Sequence, residues 1–484
     1  MMQVTNNSKT KLRISIGLLL LLGVAVVLCI LFFLIKDNYI PRWVTWNEKV
    51  VNDGHLVLKD KMLTLYDEQG NKIFSTERTV KVQDFLLTDI DGNGHDDMIA
   101  LVWKRGKYGK YRPFWVDKDE RNYSQHIFIY EIEDENKVRP KWFASETGHL
   151  IRRMKLEDES GKIILVEDVD KTNSLWRWDG FGLKNVDNSV RFIAFGDNII
   201  HEEIYKHAYS NENGSFDFLY EPFKKEIENA DIAAFQAETV LVDKKSMVSG
   251  YPTFGSPKEV GQALADAGFD IAVCANNHTL DKGIGAVDFT KDFYEDCGLK
   301  TVGIQKSTDK TYRPYELISR NGIKFALFAY TYDTNVKKAT EKYPNLVHYL
   351  PQDEDGEKEL VKDLTESRKE ADIVVVFVHW GDEYQTEISS FQEHFAELFA
   401  EGNADVVIGT HPHVVQETKE IIRPDGNNTI VFYSLGNFRA DQGFSEETKI
   451  GEEALFTAEH TYDGIRITGF ETKEINTYWK DDMK

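Results

Sequence analysis

Cysteine is scarce in this sequence: Cys29, Cys274 and Cys297 are the three among 484 residues. Three thiols make no disulfide framework. Cys29 lies in an apolar run, where it behaves as a small hydrophobe, and Cys274 falls in a stretch that reads as a buried strand, so a bridge to Cys297 is not expected. Positive charge is also in deficit. Lys and Arg number 58 against 81 Asp and Glu, a net charge of −23, and no long Lys/Arg block occurs beyond the N-terminus. Nucleic acid is excluded as a partner, because binding it needs a basic face that displaces counterions. An acidic surface repels other polyanions as well.

What is present is ample material for folding. The chain is 41% hydrophobic and 12% aromatic, and it exceeds the roughly 250–300 residues at which single cores stop growing, so two or three domains are expected. One segment stands apart. Ile14 to Ile35 (ISIGLLLLLGVAVVLCILFFLI) carries no charge and reaches the roughly 20 residues that a spanning helix needs. Lys9, Lys11 and Arg13 precede it, which orients residues 1–13 to the cytoplasm and the bulk of the chain outside. No small-x-small site closes the run, so a spanning helix over 14–35 is expected in place of a cleaved signal peptide. Leu28 before Cys29 is too bulky for lipoprotein processing.

From 41 to 187 the chain reads as short β-branched and aromatic runs between polar turns, an all-β domain. Its sharpest feature is FLLTDIDGNGHDDMIALVW, where Asp89, Asp91, Asn93 and Asp97 occupy loop positions 1, 3, 5 and 9, with Gly94 at position 6. Oxygens at that spacing converge on a hard cation, so calcium is expected. Position 12 is Ala100 and the flanks are strand-like, which excludes a helix-flanked EF-hand; an Asx-rich hairpin turn is the alternative. The loop resembles those of FG-GAP/VCBS-type repeats, and VEDVDKTNSLWRWDGFG, with Asp168 and Asp170, reads as an eroded second copy. Trp103, Trp115, Trp142, Trp176 and Trp178 are expected in the core.

Over 190–476 buried strands alternate with amphipathic helices, the α/β signature. The strands end on polar residues: RFIAFGD on Asp197, ADIAAFQAE on Glu238, FDIAVCANNH on Asn277 and His278, DIVVVFVHWG on His379, and DVVIGTHPH on His411 and His413. Such residues emerge together at the carboxyl edge of a sheet. In extended backbone an i, i+2 pair points one way, so His411 and His413 are expected to face one site. Helices are expected from Ser256, as cap with Pro257 first in the helix, to Gly268, and over SSFQEHFAELFAEG to Gly402. Three histidines, an Asn and two carboxylates make one rich mononuclear site or one lean dinuclear site, and mixed N/O ligation suits Mn, Fe or Zn, one or two ions.

The motifs FGD (Phe195–Asp197), ANNHTLDKG (Ala275–Gly283), HWGDEY (His379–Tyr384), GTHPHVVQ (Gly409–Gln416) and YSLGNF (Tyr433–Phe438) together resemble CapA-type poly-gamma-glutamate capsule biosynthesis proteins, a branch of the calcineurin-like metallophosphatases. The resemblance runs from Arg191 to about Gln442 and implies a four-layer α/β/β/α sandwich. It implies that Asp197 holds one metal, Glu238 bridges two, Asn277, His379 and His411 hold the second, and His413 completes the first. His278 would act on a substrate oxygen, oriented by Asp281. The sequence departs from the metallophosphatase pattern where Asn198–Ile199 follows Asp197 in place of x-His, so the first metal lacks an imidazole, and where Glu238 replaces the usual Asp.

Two functions follow. One is a membrane-anchored, extracytoplasmic component in biosynthesis, export or anchoring of an anionic cell-surface polymer such as poly-gamma-glutamate, partnered by that polymer or its synthesis and export complex. The other is a metal-dependent hydrolase, a phosphoesterase or amidase, acting on a cell-envelope substrate. Adhesion through the β domain is a third.

Overall fold

The computed structural model describes residues 40–481 apart from 52–54, 109–113, 115, 134–136, 149, 158–160 and 337–341. The expected span at 14–35 and the cytoplasmic tail before it lie outside the described residues, as does Trp115; among the described residues no helix is long and apolar enough to cross a membrane. The chain divides after Asp187 into two compact units.

In the first unit the described elements are strands. They form three four-stranded antiparallel sheets, each a meander in sequence order: Lys49–Val51 to Lys72–Ser75, Lys81–Thr88 to Val138–Phe143, and Ile151–Leu156 to Leu183–Val186. The strand Asp97–Arg105 shows why they stack. Its run MIALVW is buried throughout, and with side chains alternating between faces Met98, Ala100 and Val102 join one apolar cluster with Leu56 and Leu63, while Ile99 and Leu101 join another with Ile164 and Val166. Trp103 is buried, its indole N–H donating to Gln83 Oε1 at 2.8 Å; Trp142, Trp176 and Trp178 are partly buried against the second cluster.

The second unit contains two facing sheets. In one, Lys300–Val302, Ile271–Val273, Ile232–Gln236 and Ser189–Asn198 run parallel, and Ile450–Thr461 and Gly464–Asn476 extend the edge antiparallel. In the other, Ile323–Thr331, Ile373–His379, Val406–Thr410 and Asn428–Leu435 run parallel. Phe192, Val273, Phe325, Val375 and Phe456 fill the space between the sheets, with Phe192 stacked on Phe456 at 4.6 Å. Helices Lys258–Asp266 and Ile284–Asp296 cover the outer face of the first sheet, Glu354–Ser367 and Ser390–Glu401 that of the second. The layers are therefore helix, sheet, sheet, helix.

Helix starts follow side-chain chemistry. Ser389 caps Ser390–Glu401 in a reciprocal box with Gln392. Ser256 does not cap its helix, which begins at Lys258 with Pro257 at the cap position. Its hydroxyl is taken by Thr239 Oγ1 at 2.9 Å and its backbone pairs with Leu241, so the helix starts one residue later than the sequence pattern suggests. Cys274 and Cys297 are free thiols.

Close approach of backbones fixes one glycine next to the site. A Cβ on Gly196 would stand 2.0 Å from the Gly436 carbonyl oxygen, which accepts the Asp197 N–H at 3.0 Å. Gly196→Ala is expected to cost roughly 3 kcal/mol, the upper range for overpacking, and to lower metal retention by moving Asp197. Denaturant unfolding and metal analysis of the variant check both; an unchanged midpoint would count against this packing account.

Candidate metal centre

Each polar residue at the facing sheet edges is delivered by a parallel strand or the turn after it. Asp197 is the penultimate residue of Ser189–Asn198, Glu238 lies two residues past Ile232–Gln236, and Asn277 in the turn after Ile271–Val273. From the other sheet come His379, the last residue of its strand, and His411 and His413, just beyond Val406–Thr410. All six are buried.

They gather into two sets sharing one carboxylate: Glu238, His379 and His411, and Asp197, Glu238 and His413, with potential ligand atoms in each set within 4.8 Å of one another. Asn277 belongs with the first, its Oδ1 and His411 Nδ1 each lying 3.1 Å from His379 Nε2. His379 Nδ1 is turned away, bonded to Thr410 Oγ1 at 3.0 Å, which orients the imidazole.

The donor set fits divalent metal. Asp197 Oδ1, both Glu238 oxygens and His413 Nδ1 are buried without a hydrogen-bond partner, a costly arrangement at about 1–3 kcal/mol per group or more for charged ones. Shared oxygen and nitrogen ligands of this kind suit Mn, Fe or Zn. The electrostatics point the same way. Burial and the Asp197 charge push Glu238 well above the carboxylate range. Burial favours a neutral Asp197 too, yet His413, whose Nδ1 lies 3.4 Å from Asp197 Oδ2, and His379 outweigh it and hold it low. His413, which burial alone would depress, is held up to about 9 by Glu238 and Asp197, whereas burial takes His379 to about 4 and His411 well below its ordinary value.

The backbone that carries the two histidines is not extended. His411 and His413 have φ of 101° and 60°, a left-handed region that costs a non-glycine residue free energy. The sequence expectation of an extended i, i+2 pair fails in its geometry, although both rings reach the shared centre. The reason is local and tertiary at once. His411 N–H donates to Asp197 Oδ2 at 2.9 Å, and the Pro412 carbonyl accepts Tyr384 N–H at 2.8 Å. These bonds hold the turn in a conformation that extended chain cannot adopt.

His278 is set beside this centre. Its Nδ1 meets Asp281 Oδ2 at 2.7 Å, the same oxygen accepts Phe254 N–H at 2.6 Å, and the Phe254 ring packs edge-on against the imidazole at 4.7 Å. Several contributors were not legible as site residues: Thr410, Phe254, Tyr332 against His411 at 4.8 Å and Tyr384 against His413 at 5.7 Å. Thr410 and Tyr384 stand within motifs that flagged the histidines, and that proximity was the available signal.

In the first unit the acidic loop joins Lys81–Thr88 to Asp97–Arg105. Carboxylate oxygens of Asp89, Asp91 and Asp97 lie within 4.8 Å of one another, but much of the set is engaged by protein. Asp89 accepts the amides of Gly92, Asn93 and Gly94 at 2.8–3.0 Å. Asn93 Oδ1 accepts His95 N–H at 2.8 Å and Nδ2 donates to Glu131. Lys141 stands among the rest. At the stretch with Asp168 and Asp170 the chain forms a turn in which Asp170 Oδ1 accepts Thr172 N–H and hydroxyl.

Fold and site define an α/β/β/α protein whose buried His, Asp and Glu groups could hold a metal ion. Residues 191–442 match the family model described as "Bacterial capsule synthesis protein PGA_cap", and the chain belongs to that family. It is 32% identical over 188 residues, 39% of this chain and 47% of the relative, to the PGA biosynthesis protein CapA of Bacillus subtilis (strain 168). To the Capsule biosynthesis protein CapA of Bacillus anthracis it is 30% identical over 235 residues, 47% of this chain and 55% of the relative. The chain thus spans about half the length of the curated relatives it matches. Among solved structures it is similar to a phosphatase from Mycoplasma pneumoniae, at 18% identity over 60% of this chain and 95% of that one with a TM-score of 0.36. It is also similar to the calcineurin-like phosphoesterase YfkN from Bacillus subtilis, at 13% over 60% and 91% with a TM-score of 0.34. Likenesses this loose bear on neither fold nor function.

Metal ligation requires neutral imidazole. Because His413 is held protonated up to about 9, binding of Mn or Zn at pH 7 is expected to release at least one proton, and affinity to rise up to tenfold per pH unit until about 9. Calorimetry in buffers of different ionisation enthalpy measures the release; heats independent of buffer would contradict it. His411→Ala is expected to lower the number of ions that the chain binds, read by metal analysis.

Proposed function

We propose that this chain acts at the cell surface in the synthesis, export or anchoring of an anionic polymer such as poly-gamma-glutamate, using a divalent-metal centre bridged by Glu238. The carrying observation is that the segment matched by the capsule-synthesis family, 191–442, encloses both ligand sets. The apolar run at 14–35 would anchor the chain with its bulk outside the membrane, and the first unit's sheets, each a four-stranded meander like a propeller blade, would be the FG-GAP/VCBS-like portion. The polymer or its synthesis and export complex would be the partner.

Asp197 and His413 would hold one ion, Asn277, His379 and His411 the other, and Glu238 both. When bound, such ions polarise a carbonyl or phosphoryl oxygen as Lewis acids. The protein's own charge does little to attract a polyanion. Asp333, Asp382 and Glu383 stand close enough to Tyr332 to help burial raise its hydroxyl to about 12, so the surroundings of the centre are acidic. A carboxylate polymer would therefore be held by the ions. Binding of poly-gamma-glutamate to the metal-loaded chain is expected to vanish with chelator and to strengthen in Glu383→Lys; fluorescence anisotropy with labelled polymer reads both, and chelator-insensitive binding would argue for another surface.

One observation favours hydrolysis within this role. Asp281 fixes His278 through Nδ1 at 2.7 Å, which leaves Nε2 to hold a proton for a leaving oxygen or nitrogen. Such a group contributes typically 10²–10⁴-fold. His278→Ala is expected to keep both metals while turnover of a generic phosphodiester or of a gamma-glutamyl amide falls by about that factor. Equal turnover in the variant would remove the acid-base role of His278.

A further inference from the structure

The acidic loop of the first unit already holds a positive charge that belongs to the chain. Lys141 Nζ lies 2.6 Å from Asp91 Oδ2, 2.9 Å from Glu131 Oε2 and 3.0 Å from Asp97 Oδ2, with its side chain 8% exposed. An ammonium has three hydrogens and no acceptor, and here three carboxylates take them at charge-assisted distances. Its far side rests on the Trp178 ring, 5.5 Å from the centroid, a favourable place for a cation.

The backbone explains how a lysine two strands away arrives there. In the pairing of Tyr123–Ile132 with Val138–Phe143, Ile129 faces Trp142 and Tyr130 faces Pro140, so Lys141 is the extra residue of a bulge. A bulge bends its strand and re-aims a side chain, and Pro140 has no N–H to restore the ladder. The carboxylates are in the right charge state to receive it. Glu131, despite burial, is held at about 2 by Lys141, Arg139 and Asn93, and burial raises Asp97 only to about 6.

We propose that Lys141 is the resident cation of this loop, a covalently attached replacement for a calcium ion, and that the loop is metal-independent while the lysine stays in place. Calcium needs six to eight oxygens at about 2.3–2.6 Å. Asp89 and Asn93 spend theirs on loop amides, position 12 is Ala100, and a dication would stand against a buried ammonium. Removing the ammonium leaves Asp91, Asp97 and Glu131 facing one another with Arg139, on Glu131, as the remaining paired cation, a cluster that calcium would then relieve.

Calcium titration and thermal melting of the full chain, with the second unit's centre saturated with manganese beforehand, test this in wild type and Lys141→Met. Wild type should show no calcium-dependent shift in melting temperature. Lys141→Met should melt lower without calcium, gain about one bound calcium per chain and recover part of the loss as calcium is added. Equal calcium uptake by the two proteins would overturn the assignment. Should Lys141→Met fail to fold, wild type alone decides: a calcium-dependent rise in its melting temperature overturns the proposal, and none upholds it.

Discussion

Two carboxylates, Asp197 and Glu238, are buried to zero exposure with oxygens that find no hydrogen-bond partner, and much of the second unit can be understood as the means of putting them there. Isolated buried charge is among the most expensive features a fold can contain. It persists because a core between two sheets, built from residues such as Phe192, Phe325 and Phe456, holds both carboxyl edges against each other. That core brings imidazoles from the second sheet to carboxylates from the first, and the shared position of Glu238 follows from its place past the end of Ile232–Gln236, where it meets His379 at 3.5 Å and His413 at 3.8 Å.

The same demand reaches the backbone. Left-handed residues other than glycine cost on the order of 1–3 kcal/mol each, and His411, His413 and Tyr384 all have positive φ within two loops that touch. The strain is held by hydrogen bonds among the groups being positioned: the His411 N–H donates to Asp197 Oδ2, and the Tyr384 N–H to the Pro412 carbonyl. Ligand geometry and loop conformation are thus set together, and the aromatic rings of Tyr332 and Tyr384 limit how far His411 and His413 can swing.

The two units solve one problem in opposite ways. In the first, a carboxylate cluster with Asp97 and Glu131 buried is satisfied by a lysine delivered on a bulge, and the hydrogen bonds close within the chain. In the second, the cluster is left with unsatisfied lone pairs and a histidine held up by its neighbours. The second leaves ligand atoms that could hold a metal ion.

Much of the second unit was legible in the sequence, since apolar runs that stop at a polar residue encode a buried strand and its edge together. That pattern located Asp197, Glu238, Asn277, His379, His411 and His413, and the stretch SSFQEHFAELFAEG located the helix that Ser389 caps. The sequence did not reveal the start of the helix after Ser256, because a hydroxyl 17 residues away competes for the cap. Nor did it reveal the left-handed turn at His411 or the orientation of His379 by Thr410. Local residue order determined which chemistry stands at the strand ends and which loop is acidic, because periodicity, turn residues and capping act over a few residues. Only the tertiary structure decided that the turn at His411 and His413 would be left-handed and that Lys141 would stand in the acidic loop, because those outcomes depend on contacts between segments tens to hundreds of residues apart, set by sheet packing and by one bulge.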